Sequence, residues 1–126
     1  MIFGIGTDIL KIERIQAIDS LDKFASKILS NNESKLLEKL NDVKKINYLA
    51  KQFVGKEAIA KAIGRGITKD TKLKEIEILR DKNGKPTFNP VGSLKAYMDN
   101  LGIAKTHVSL SDEKEYAIAF AILEKK

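Results

Sequence analysis

The chain of 126 residues has no cysteine, 43% hydrophobic and 32% charged side chains, and a net charge of +6. Disulfides and thiolate metal sites are therefore excluded, and the composition is that of an ordinary globular protein, neither disordered nor fibrous. An isoelectric point near 9.4 favours an acidic or phosphorylated partner, which a nucleic acid, an anionic nucleotide cofactor and an acidic protein would each satisfy.

The N-terminal stretch MIFGIGTDIL has neither the basic region nor the cleavage site of an export signal. No later run approaches the ~18–20 apolar residues of a membrane span, so a cytoplasmic protein without membrane contact is expected. Residues 2–10 read as a strand, with Phe3, Ile5, Thr7 and Ile9 on one face and Gly4, Gly6 and Asp8 on the other. Residues 12–29 predict one or two short amphipathic helices, broken near Asp19 or Ser20. Ser30 with Glu33 forms a capping-box pattern ahead of the next helix, and a long helix is predicted over 42–63. Strands follow near 73–80 and 85–88, joined by the turn Asp81-Lys82-Asn83-Gly84. Pro90 and Ser93 introduce a helix of about ten residues that closes near Gly102. The last strands, 106–111 and 115–123, are joined by Asp112-Glu113-Lys114. Strands at both ends with helices between them predict a single α+β domain, 1–126, with a largely antiparallel sheet and a long central helix.

In the final strand, Tyr116, Ile118, Phe120 and Ile122 point one way and Ala117, Ala119 and Ala121 the other. The alanine face admits a helix or another backbone at close range. Left as a bare sheet edge, the strand would be an aggregation hazard, so a cover is expected, and a second subunit would supply one.

The long helix carries the first chemical signal. At about 100° per residue, Ile46, Leu49, Ala50, Phe53 and Ala60 form an apolar stripe, and Glu57 falls within about 20–40° of its centre, with Lys61 at the margin. A carboxylate on a buried face is costly unless paired or metal-bound. The plain alternative is a Glu57–Lys61 surface pair worth ~0.2–0.5 kcal/mol, which accounts for Lys61 better than for Glu57. Asp8 shares a strand face with two glycines, where backbone or ligand can approach closely; it could equally cap the helix starting near residue 12. Two carboxylates from separate elements suit Mg²⁺, which takes one or two protein oxygens and completes its shell with water and phosphate. His107, Ser109 and Ser111 line the polar face of their strand, opposite Val108 and Leu110. A lone histidine is more often structural than catalytic, although hydroxyls and an imidazole can bind phosphate oxygens. Gly64-Arg65-Gly66 reads as a helix C-cap, and the Walker pattern is absent.

These blocks together resemble one family. Gly4 to Ile9 followed by Ile12-Glu13-Arg14-Ile15 looks like the N-terminal signature of the holo-acyl-carrier-protein synthases, the small bacterial 4′-phosphopantetheinyl transferases. Phe53-Val54-Gly55-Lys56-Glu57-Ala58, then Lys61-Ala62 and Gly64 to Ile67, resembles their F-x-x-K-E-A…K-A-x-G-x-G motif. Asp81 to Pro86 is similar to their D-x-x-G-K-P hairpin, and His107 to Ser111 with Tyr116-Ala117 to their H-V-S-L-S…Y-A segment. The four blocks stand in family order and spacing over essentially the whole chain. There are two departures: Asp112 where the family often has histidine, and Gln52 where an arginine commonly precedes the motif phenylalanine. A phosphate contact made at position 52 in relatives would be weakened or relocated.

The resemblance implies transfer of 4′-phosphopantetheine from coenzyme A to a serine of apo-acyl carrier protein, in fatty acid biosynthesis. Asp8 and Glu57 would hold Mg²⁺ against the pyrophosphate, neutralising it and stabilising the leaving adenosine 3′,5′-bisphosphate. Lys61 would contact the phosphates and assist the leaving group. The serine proton would go to Glu57, to a water held by the metal, or to His107. Lys56, Lys85, Pro86 in its Gly84–Pro86 turn, His107 and Ser109 would contact coenzyme A. The resemblance further implies a homotrimer with sites between subunits. Arg14, with Lys11, Lys23 and Lys27, would meet the acidic helix of acyl carrier protein. The alternative is a basic nucleic-acid-binding module without enzymatic activity, which would bind in a salt-sensitive way and leaves Glu57 unexplained.

Overall fold

In the computed structural model, which describes residues 1–64, 68 and 71–126, the chain is an α+β fold built on two antiparallel sheets. Its elements are β1 (Ile2–Lys11), α1 (Glu13–Gln16), α2 (Leu21–Ile28), α3 (Asn31–Glu38), α4 (Asp42–Ile63), β2 (Ile76–Arg80), β3 (Pro86–Pro90), α5 (Ser93–Asn100), β4 (Ile103–Asp112) and β5 (Tyr116–Lys125). One sheet has the order β1-β5-β4 and the other pairs β2 with β3. The β3 strand lies beside β4, where Thr106 Oγ1 donates to the Phe88 carbonyl at 3.2 Å.

Local chemistry accounts for most boundaries. The Ser20 hydroxyl accepts from the Lys23 amide and starts α2. Both halves of the capping box form at Ser30 and Glu33. The Asn41 side chain caps α4 through the Lys44 amide, and Gly64 ends it in the left-handed conformation at φ 103°, where a side chain would be strained. Arg65, Gly66 and Ile67, the rest of the glycine-rich motif, lie outside the described residues.

Three expectations are corrected. Leu73–Glu75 is a turn of 3-10 helix and not strand. There the Glu75 carboxylate accepts from the Leu94 amide and the Ser93 hydroxyl, capping α5 from outside, so Gly92 and not Ser93 stands at the N-cap. Second, β4 and β5 are longer than read, because β5 pairs along both sides. Third, β5 is therefore the central strand and presents no bare edge.

The close approach read into the small side chains is met within the chain by α4. Ala117, Ala119 and Ala121 are fully buried, and a Cβ at Gly4 or Gly6 would collide with the carbonyl oxygens of Ala62 and Ala58. The opposite face of the same sheet stays open: Ile5, Ile9, Tyr116, Ile118 and Phe120 are exposed. Five large side chains on one sheet face form the kind of patch that another surface covers.

The second half of α4 is enclosed on nearly all sides. The sheet packs on one flank, and on the other Phe24 of α2 meets the Phe53 ring at 5.5 Å between centroids. Ala58, Ile59 and Ala60 are completely buried. Glu57, read as central to a buried stripe, instead occupies a half-buried window on the β1 flank, and Lys61 opens to solvent.

Candidate active site

The register of β1 against α4 builds the site. Gly4 and Gly6 let the helix settle on the strand, and Asp8, two residues further on the same face, then meets the next part of the helix. Lys61 Nζ donates to Asp8 Oδ1 at 3.0 Å and to the Thr7 carbonyl at 3.1 Å. Asp8 is not a helix cap, since the N-cap of α1 is Ile12 and no side chain caps that helix. Burial pushes the Glu57 carboxyl above the usual carboxylate range, the nearby Asp8 charge pushes it further, and Lys61 pulls it back. Two carboxylates thus sit close enough to repel each other, in partial shelter from water.

That field fits a hard divalent cation. The oxygen donors are of the right kind, and the charge on Glu57 is the one a cation would relieve. Among the described residues no group of three or more histidine, cysteine or carboxylate side chains could hold a metal by itself. A metal here would draw its remaining ligands from water and a phosphorylated substrate, which suits Mg²⁺.

Lys56 is not brought to this site. Its side chain is completely buried, with Nζ bonded to Glu33 Oε1 at 2.7 Å and to the carbonyls of Leu73 and Ile76. All three donors are used inside, so it offers nothing to coenzyme A. Glu33 also accepts from the amides of Ser30 and Ile78 and from the Gln52 side chain. Gln52 donates to the Ile78 carbonyl as well, so position 52 faces inward and makes no phosphate contact. Sequence reading missed this cluster because a Ser-x-x-Glu cap accounts for Glu33 without demanding a further partner. The signal lay in Gln52 and Lys56, four apart on the helix flank beside the stripe taken as buried.

His107 and Ser109 stand on the other side of the sheet. Asp8 pairs through Ala119 with Leu110, and Leu110 packs near Gly55 of α4. The neighbouring residue Ser109, and His107 two further back, therefore point to the open face, where both are exposed. His107 Nε2 lies 2.7 Å from Glu124 Oε2, and this contact holds the Glu124 carboxyl below its usual range. Within one chain the histidine and the carboxylate pair cannot meet. Arg14 is exposed on α1.

A basic groove was also missed. On the flank of α4 away from β1, Lys39, Lys44, Lys51, Arg80, Tyr48 and Asp112 line a hollow of about 480 Å³. Lys51 pairs with Asp112 at 3.7 Å, which gives the departure at position 112 a local partner. Burial lowers Arg80 and raises the Tyr48 phenol. Lys85 and Pro86 sit at the β2–β3 turn next to Arg80, with which Pro86 pairs, and so belong beside this groove and not beside Asp8. The lysines looked dispersed in sequence; the α3–α4 turn gathers them.

Known proteins were compared with the chain. The profile of the 4′-phosphopantetheinyl transferase superfamily matches residues 4–121. The holo-[acyl-carrier-protein] synthase of Blochmanniella pennsylvanica is 42% identical over 127 aligned positions, covering 99% of this chain and 100% of that one. The crystal structure of holo-[acyl-carrier-protein] synthase from Neisseria meningitidis superposes with a TM-score of 0.93 at 38% identity, over 99% of this chain and 100% of that one. A holo-(acyl-carrier-protein) synthase from Bacillus anthracis, solved in complex with CoA (3′,5′-ADP), gives a TM-score of 0.86 at 35% identity, over 100% of this chain and 99% of that one.

Proposed function

Because the chain belongs to the 4′-phosphopantetheinyl transferase superfamily, we propose that it catalyses the reaction named for its relatives. It moves 4′-phosphopantetheine from coenzyme A to a serine of apo-acyl carrier protein and releases adenosine 3′,5′-bisphosphate. The observation that carries this reading is the joining of Asp8, Glu57 and Lys61 across β1 and α4. The coenzyme A complex of the Bacillus anthracis relative supports the donor.

The serine oxygen forms a bond to the β-phosphorus, and the bond from that phosphorus to the bridging oxygen breaks. The serine proton leaves, and the new charge appears on the phosphate of the departing nucleotide. Asp8 and Glu57 would hold Mg²⁺, which would supply charge neutralisation at the pyrophosphate. Glu57 would be a ligand and is also a candidate proton acceptor, as a half-buried carboxylate at the reacting centre. Lys61 presents an ammonium beside the same carboxylates and takes the charge that builds on the leaving group.

His107 and Ser109 enter this reading only through a second copy of the chain. Their placement on the open sheet face, among Ile5, Ile118 and Phe120, supports a trimer in which one subunit's carboxylates work with a neighbour's strand. Lys85, Pro86 and the basic groove would then take part of the anionic nucleotide. No described helix is long and apolar enough to cross a membrane, and we place the reaction in the cytoplasm.

Arg14 on exposed α1 is proposed to dock acyl carrier protein. Arg14→Glu is expected to raise the KM for acyl carrier protein about tenfold or more, with coenzyme A kinetics little changed; unaltered acceptor kinetics would remove Arg14 from the interface. The nucleic-acid reading leaves the Asp8–Glu57 pair without a purpose.

The deciding experiment is intact-mass spectrometry of apo-acyl carrier protein incubated with the protein, coenzyme A and Mg²⁺. The expected result is a gain of one phosphopantetheine that EDTA abolishes. No gain with a competent acceptor overturns the reading, and salt-dependent RNA or DNA binding would replace it. A gain that survives EDTA keeps the transfer and removes the metal.

A further inference from the structure

Lys61 stands four residues from Glu57, the spacing of a helix-surface ion pair, yet its ammonium reaches across to β1. There it holds Asp8 Oδ1 at 3.0 Å and the Thr7 carbonyl at 3.1 Å. Its side chain is 52% exposed, against 20% for Asp8. The anchor is thus a sheltered carboxylate and the cation a mobile one, on a flexible four-carbon stem. It supplies the single positive charge that two neighbouring carboxylates call for, and it does so on a carboxylate that a metal would use.

We propose that Lys61 is a placeholder cation. It occupies Asp8 while no divalent ion is bound, and it gives up that carboxylate when the metal arrives, which frees the ammonium for a phosphate of coenzyme A. The inference rests on the metal-dependent reading above. An ammonium and a divalent ion on one carboxylate repel each other even in water, so the two occupancies compete. Exposed ion pairs are weak, so the hold is light and a metal can break it. A phosphate that draws Lys61 away from Asp8 opens the site to metal, and a metal that displaces Lys61 readies it for phosphate. By linkage, each then tightens the binding of the other.

The probe is Mn²⁺, with binding measured by titration calorimetry and by the electron paramagnetic resonance signal of the free ion. Wild type, Lys61→Met, Lys61→Gln and Asp8→Asn are compared, first alone and then with adenosine 3′,5′-bisphosphate. Lys61 is exposed, so both substitutions keep the fold, which circular dichroism checks. Lys61→Met and Lys61→Gln are expected to bind Mn²⁺ about three- to tenfold more tightly than wild type without nucleotide, and to gain less when nucleotide is added. Removing a lysine that stood clear of Asp8 would not tighten metal binding in the free protein. Equal or weaker binding by both variants, with binding still lost in Asp8→Asn, overturns the placeholder and leaves the metal site standing. Absence of Asp8-dependent binding in wild type and both Lys61 variants, even with nucleotide, overturns the metal site and the placeholder together.

Discussion

Glu57→Gln is expected to lower transfer to acyl carrier protein by about 10²–10³-fold, the scale on which a preorganised charge at the reacting centre acts. Glutamine keeps the shape and the hydrogen-bonding reach of the side chain and removes only the charge. The same substitution should leave the melting temperature unchanged or slightly raised. The sign follows from the direction of the Glu57 shift. Its carboxyl titrates above its unfolded value because of burial and of Asp8, so ionised Glu57 disfavours the folded state above the raised pKa. That penalty fades as pH falls from the raised pKa towards the unfolded value and is gone below it. Lost activity without lost stability is what a residue kept for chemistry shows. Normal turnover in the variant would sink the metal-ligand assignment, and loss of activity accompanied by unfolding would make Glu57 a structural residue. The shared-site reading adds a further result. Glu57→Gln and His107→Ala chains, each impaired alone, should regain activity when unfolded and reassembled together in equal amounts, because about a quarter of all sites then receive both intact side chains. A mixture no better than its components would confine the site to one chain.

Glu33→Ala is expected to be the most damaging substitution for stability, by about 3–5 kcal/mol, the usual consequence of removing one partner from a buried ion pair. The backbone amides of Ser30 and Ile78 lose their acceptor, and the Lys56 ammonium and the Gln52 amide each lose one of theirs. Both Lys56 and Glu33 are completely buried, so water cannot replace the missing carboxylate without opening the core. Lys56 can shed its charge, which softens the loss. Burial already lowers its pKa, and Glu33 opposes that fall. At ~3–5 °C per kcal/mol for a chain of this size, the midpoint should drop by about 10–20 °C. A drop of only a few degrees in a thermal melt would show that the cluster is better solvated than its geometry implies. The cluster also joins α3, α4 and β2, and through α4 it sets the rotation that turns Glu57 toward Asp8. Activity of folded Glu33→Ala protein at low temperature should therefore fall as well.

Much of the framework is legible because it is local. The Ser30–Glu33 capping box, the 42–63 helix with its glycine stop, the Asp81–Gly84 turn and the alternation in β1 and β5 each depend on residues a few positions apart, and each appears in the structure. Asp8 and Glu57 were also legible as anomalies. One was a charge on a glycine-lined strand face, the other a charge among apolar helix neighbours. What a single strand could not reveal was its place in the sheet. Tyr116 to Lys125 reads the same as an edge or as a centre, and only pairing with β1 and β4 decides it.

The same limit explains the misplaced contacts. Lys56 and Glu57 are adjacent in one motif, and a helix turns about 100° between neighbours, so the two face different surroundings. One enters a buried network and the other the half-buried window beside Asp8. His107 and Ser109 share their strand with Leu110, which packs beneath α4, and alternation sends them to the opposite face. The sequence by itself determined the family, the α+β class and the order of the elements, and it singled out two carboxylates, since these rest on local periodicity and on motifs short enough to read along the chain. Tertiary structure alone decided which charge is buried, which lysine holds Asp8 and which face is left for a neighbour, because those follow from how far α4 rotates and settles onto glycines and alanines that lie more than fifty residues away.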